Sequence, residues 1–519
     1  MRFRACLFST ALLLTAAAAA MDDPPTFAVS GVVVNSVSGQ PVPRALVWMA
    51  GPSRHTVFTG SDGSFKFAGV ASGEYFLAAE KPGFSYDLKL ETRRQASLQV
   101  SADVSKLVVK LLPEGIISGR IEDPEHEPLP NTYVGVAAYD VQNGRRHLER
   151  RGATRTDEDG NYRIAGLKQD DYFIVAGSTG TVPPVTSKSG DQHDWGYAFV
   201  AYPNVDTLSS ASAVHVDPGQ HVDASFSLKP KRTFHVNGRV IGMPQVAAPV
   251  WFQREDFPFY GIYVGINAAT GEFHARWLPA GDYIVYVSVR GDTPLVAEQR
   301  LTVGSDLDGV QLELAPPVKV PVTIRWDSPP EGAAAGKERF FAMVELVPDE
   351  WWGSTVRQNG NATTDFSINN VYPGHYTVHP RVFAGNARVA SMTMGDVDLL
   401  QHKLTVTTAA LPQPIEIVLT SDSGKIEAHV PTGQQCWVVA VPVVATGLDP
   451  PMGFCDPNGV AQVTQVGPGD YNVYLLDTLD NVPYAEPEFA KANESRAVRV
   501  TVPPKGTVTV TPSLIRVSK

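Results

Sequence analysis

The chain has 519 residues, 43% hydrophobic and 19% charged. That is enough apolar material for packed cores and too little charge for a disordered chain, and a single core stops growing near ~250–300 residues, so several domains are expected. A formal net charge of −11 speaks against a nucleic-acid partner, and three cysteines exclude a disulfide-dense scaffold or a cysteine zinc array.

Arg2 and Arg4 precede an apolar run, Ala5 to Leu14, and small residues follow to Ala20, where Ala18-Ala19-Ala20 fits an A-x-A cleavage site. The pattern predicts a signal peptide over residues 1–20, cut after Ala20; an uncleaved anchor is the alternative. The run is too short for a good membrane span, and no later stretch is long and apolar enough for one. The expected mature protein is exported, secreted or held in the periplasm or cell envelope, with no membrane span once the signal is removed. Cys6 leaves with the signal. Cys436 and Cys455 remain, 19 apart, and in an oxidising compartment such a pair is expected to bridge; the alternative is two buried thiols.

A repeat organises the rest. Asp62-Gly63-Ser64-Phe65-Lys66-Phe67 and Tyr75 recur as Asp159-Gly160-Asn161-Tyr162-Arg163-Ile164 and Tyr172, then more loosely around Gly271 and Tyr283, Thr364 and Tyr376, and Gly459 and Tyr471. In four copies a glycine stands twelve residues before the tyrosine, and in all five an apolar residue stands five before it. Asp-Gly and Asn-Gly supply the positive φ of tight hairpins, and the alternating residues that follow read as half-buried strands. The tyrosines lie 93 to 111 residues apart. The spacing predicts an all-β chain, a string of about five Ig-like or prealbumin-like antiparallel sandwich modules at 27–113, 114–230, 232–316, 317–421 and 424–515, the last two divergent. Opening strands are expected at 29–34, 116–121, 234–241, 318–326 and 425–430, closing strands at 106–112, 223–228, 309–314, 414–419 and 506–512, and one short helix at 488–496.

The first module, with Val29-Ser30-Gly31-Val32-Val33-Val34, Pro41-Val42-Pro43-Arg44-Ala45 and Gly73-Glu74-Tyr75-Phe76-Leu77, resembles the carboxypeptidase regulatory-like domain. The second matches nearly as well, through Ser118-Gly119-Arg120-Ile121 and Pro128-Leu129-Pro130-Asn131. The resemblance implies a tandem, secreted bacterial protein of transthyretin-like, carbohydrate-binding-like fold, without catalytic residues of its own. Related adhesin repeats carry a Lys–Asn isopeptide. No lysine stands between Phe27 and Val34, so none is expected in the first module.

No H-E-x-x-H, C-x-x-C or G-x-S-x-G occurs, and no catalytic residue, metal site or cofactor is expected. His193-Asp194-Trp195, Asp306-Leu307-Asp308-Gly309 and Asp396-Val397-Asp398 are loosely metal-like, but loop polarity and turn chemistry account for them. The remaining hint is aromatic. Trp195, Trp351, Trp352, Phe259 and Tyr260 could present flat rings to a sugar; the competing reading is that they plug module ends and joints. The reading is a non-enzymatic exported protein that binds, adheres or spaces at the cell envelope, with glycans or envelope proteins as partners. Its alternative is a carbohydrate-binding protein using exposed aromatic loops.

Overall fold

The computed structural model describes residues 25–86, 97–178, 194–329, 341–349 and 355–517, except 245, 247, 258–259, 292–293, 362–363, 384–385, 408–412, 434 and 445. The predicted signal peptide lies outside the described residues. Among the described residues nearly all regular structure is β, in ten sheets that fall into five pairs along the chain. The chain divides into two compact units. One is Met1–Ile116 with Ala165–Gln169 and Val216–His221; the other is Ile117–Ile164, Asp170–His215 and Val222–Lys519.

In the first unit one sheet has the strand order Ser64–Ala71, Thr26–Asn35, Val104–Pro113, Phe84–Tyr86, and the other Arg54–Phe58, Leu46–Ala50, Gly73–Glu80, Ser97–Val100. Val29, Val33, Phe65, Phe67, Tyr75 and Leu111 meet between them. Strand periodicity sets this core: Ser64–Ala71 alternates exposed and buried positions, and Asn161–Leu167 repeats the same alternation.

The opening strands run Thr26–Asn35, Gly115–Glu122, Lys231–Ile241, Val318–Ser328 and Gly424–His429. Each pairs in parallel with the strand that closes its module: Val104–Pro113, Phe226–Ser227, Leu307–Glu313, Ile415–Thr420 and Thr507–Val510. A parallel pair needs a long crossover, and here the body of the module is that crossover. Parallel pairing also sends the chain out of the sheet at the end opposite its entry, which suits modules in tandem. The short helix forms as Pro487–Ala492 followed by a 3-10 turn, Glu494–Arg496.

The turn glycines Gly63, Gly160, Gly271 and Gly459 have φ of +72° to +81°, and the five repeat tyrosines are buried. A second fixed position accompanies them. Six residues before each tyrosine stand Gly69, Gly166, Trp277, Asn370 and Gln465, all left-handed, with φ of +58° to +80°. In four modules the opening strand shifts register by one residue opposite this point, between Phe27 and Val29, Phe234 and Val236, Val318 and Val320, and Gly424 and Ile426. This is a β-bulge, with the extra residue on the strand that carries the left-handed position. On the other side of the opening strand, where its parallel pairing with the closing strand begins, aspartates bind its amides: Ala28 N–H donates to Asp103 Oδ1 at 2.8 Å, and His235 N–H to Asp306 Oδ1 at 2.8 Å.

A disulfide joins Cys436 and Cys455, Cα atoms 5.3 Å apart, inside the fifth core. Closing a loop of that length stabilises by roughly 3 kcal/mol in the chain-entropy view.

Candidate interaction surfaces

The aromatic candidates separate. Tyr260 is 1% exposed. Its ring lies 5.6 Å from Tyr133 and 5.7 Å from Phe199, in a cluster that also holds Phe257 and Val175. It therefore plugs the joint between the second and third modules and is not an exposed platform. Rings of this size gain most where two modules exclude water from both faces, and burial pushes the Tyr260 phenol well above its usual range. Trp195 is half-buried. Its strand, Trp195–Gly196, pairs with Lys231 and Arg232 of the third module's opening strand, although it stands within the second module in sequence. Beside it Asp194 accepts from Thr233 N–H at 2.9 Å and lies 3.0 Å from His235 Nε2, so the joint absorbs the polar trio's aspartate. Trp351, Trp352 and Phe259 lie outside the described residues, as does His193.

The acidic loops also have local roles. Asp306 accepts from His235 N–H as described above, Asp308 accepts from Asn237 Nδ2 at 2.8 Å, and Asp398 accepts from Leu400 N–H at 2.9 Å. Among the described residues no three His, Cys, Asp or Glu side chains converge as a metal site.

Among the described residues the rings of Phe58, Tyr263, Phe341 and Phe383 are all more than half exposed. Phe383 matters most because it borders a cleft of about 770 Å3 between the fourth and fifth modules, reached also by Asn143 of the second. The strand Gly374–Phe383 forms one wall. Its Tyr376 and Val378 point into the fourth core, so the two-residue period turns His379, Arg381 and Phe383 together to the outer face. From the facing wall Asp449 comes within 3.5 Å of His379 Nδ1 and 4.0 Å of Arg381. Arg388, also in the lining, donates two hydrogen bonds to Asp422, at 2.8 and 3.0 Å, and these hold the Asp422 carboxyl below its usual range. Sequence reading passed over this stripe because a His-x-Arg-x-Phe alternation is unremarkable until the opposite wall is known.

Residues 28–108 match the carboxypeptidase regulatory-like domain. The class thus defined is a chain of β-sandwich modules whose first module is of that kind. No curated protein matches the chain. Among solved structures it is similar to the Bacillus anthracis TIE protein (12% identity, 55% of this chain and 50% of that one, TM-score 0.17). Others are the minor pilin GBS52 of Streptococcus agalactiae (16%, 39% and 95%, 0.20) and the shaft pilin spaA of Lactobacillus rhamnosus GG (12%, 40% and 97%, 0.23). The chain spans half the length of the first of these.

Proposed function

We propose that this chain is a non-enzymatic, exported protein of the cell envelope that binds or spaces other molecules through its sandwich modules. The observation that carries the reading is the use the fold makes of its repeated residues. Turn glycine, bulge, amide-binding aspartate and buried tyrosine all go into holding the sheets. The repeated part is scaffold, and what differs between modules is the surface. Support for export comes from the basic, apolar and small-residue order of residues 1–20. Among the described residues no helix is long and apolar enough to cross a membrane.

Fractionation of the producing cells with N-terminal sequencing tests this. The expected result is protein in the envelope or medium, beginning at Met21. Protein retained in the cytoplasm with residues 1–20 attached would defeat the reading.

A further inference from the structure

We propose that the cleft between the fourth and fifth modules binds a neutral oligosaccharide, with the His379–Arg381–Phe383 stripe as its platform. This deepens the binding half of the function proposed above and rests on it. The cleft's volume, about 770 Å3, lies within the ~300–1,000 Å3 typical of small-ligand sites. Its charges decide the ligand class. Arg388 is matched by Asp422 and Arg381 by Asp449, so neither an anion nor a cation meets a surplus of opposite charge. What remains is a set of planar hydrogen-bonding groups beside apolar faces. Arg381 is about half exposed, at 48%, and keeps donors free for solvent or ligand. Phe383, 61% exposed in the lining, offers a flat face one strand repeat further along. An uncharged sugar ring has that same division, with polar hydroxyls on its edge and C–H groups on its face. Asn143 adds an amide from the second module, so the site is complete only when three modules are assembled.

The test uses the full chain, with cellotetraose, xylotetraose and N-acetylchitotetraose as neutral probes and tetragalacturonate as the charged contrast, read by calorimetry and saturation-transfer NMR. At least one neutral probe is expected to bind. Arg381→Ala and Phe383→Ala should each weaken it at least tenfold at unchanged melting temperature, because Phe383 is mostly and Arg381 about half exposed. Phe58→Ala, an exposed ring in the first module, should leave binding intact. No binding of any neutral probe at millimolar concentration would overturn the proposal, as would affinity untouched by both cleft variants or a preference for tetragalacturonate. The fractionation result stands apart from all of these, so an exported chain that ignores every probe refutes the cleft and not the export.

Discussion

Gly63 and Gly69 sit in the same hairpin arm with nearly the same left-handed backbone, φ +72° and +69°, but in different surroundings. A Cβ on Gly63 would fall 2.7 Å from the Val33 carbonyl oxygen and 2.9 Å from Pro41 Cβ, while one on Gly69 would meet nothing within 4 Å. Gly69→Ala therefore costs backbone strain alone, about 1–2 kcal/mol. Gly63→Ala adds a collision with a strand carbonyl and should cost about 3 kcal/mol or more. Urea denaturation of the two variants checks this, and equal losses would mean that the contact at Gly63 relaxes freely. The contrast also explains what a reader of the sequence can see. The turn position must be small, so glycine recurs and the twelve-residue spacing shows. The bulge position is open, so Trp277, Asn370 and Gln465 are tolerated beside two glycines, and no residue type marks it.

At the scale of elements, alternation decides most. Opening strands were legible to within a few residues because each carries a period-two apolar face, and the short helix because its polar run has no such face. Burial of particular rings was not legible. Tyr260 read equally as a ring for a sugar or as a plug for a joint, and the choice is made by Tyr133, Phe199 and Val175 of the preceding module, which close over it. The link between the fourth and fifth modules shows how a join is held. Asn386 Nδ2 donates to the Ser421 carbonyl at 2.8 Å, Ser423 Oγ donates to the Asn386 carbonyl, and Arg388 grips Asp422. The hydrogen bonds from Arg388 lower the Asp422 pKa from its ordinary 3.8. A carboxylate whose folded pKa is depressed stabilises the protein above the unfolded value and loses that contribution as pH falls through the folded one. Asp422→Asn should thus cost about 1.5–3 kcal/mol near neutrality, and the gap to the parent should close below pH 3.8. Melting curves at pH 7 and in steps below pH 4 test it. A pH-independent gap would show that packing, not charge, holds the link.

Within the larger unit the second and fifth modules touch, a contact between segments some 340 residues apart. The tip of the hairpin formed by Tyr133–Gln142 and Arg145–Arg155 reaches the fifth module. Ala485 N–H donates to the Gly144 carbonyl at 3.0 Å, Arg146 N–H to Glu486 Oε1 at 3.1 Å, and Arg145 to the Thr446 carbonyl at 3.2 Å. Tyr484, 2% exposed, covers Gly144 with its ring. Nothing in the order of modules foretells such a contact, because it depends on angles that accumulate across two intervening joints. Its consequence is energetic coupling: damage to the fifth module should loosen the second. Tyr484→Ala removes a buried aromatic ring and should cost about 3 kcal/mol, with hydrogen exchange rising in Arg145–Arg155 as well as around residue 484. Faster exchange confined to the fifth module would refute the coupling. Alkali should act on the same contact. Burial first, and then the charge of Asp449, push the Tyr484 phenol up to about 12. An acid with a raised folded pKa gives its full stabilisation below the unfolded value near 10 and loses it as pH climbs through the folded one. The hairpin should therefore lose exchange protection between pH 10 and 12. Tyr484→Phe, which keeps the ring and cannot ionise, should keep more of that protection than the parent at pH 12.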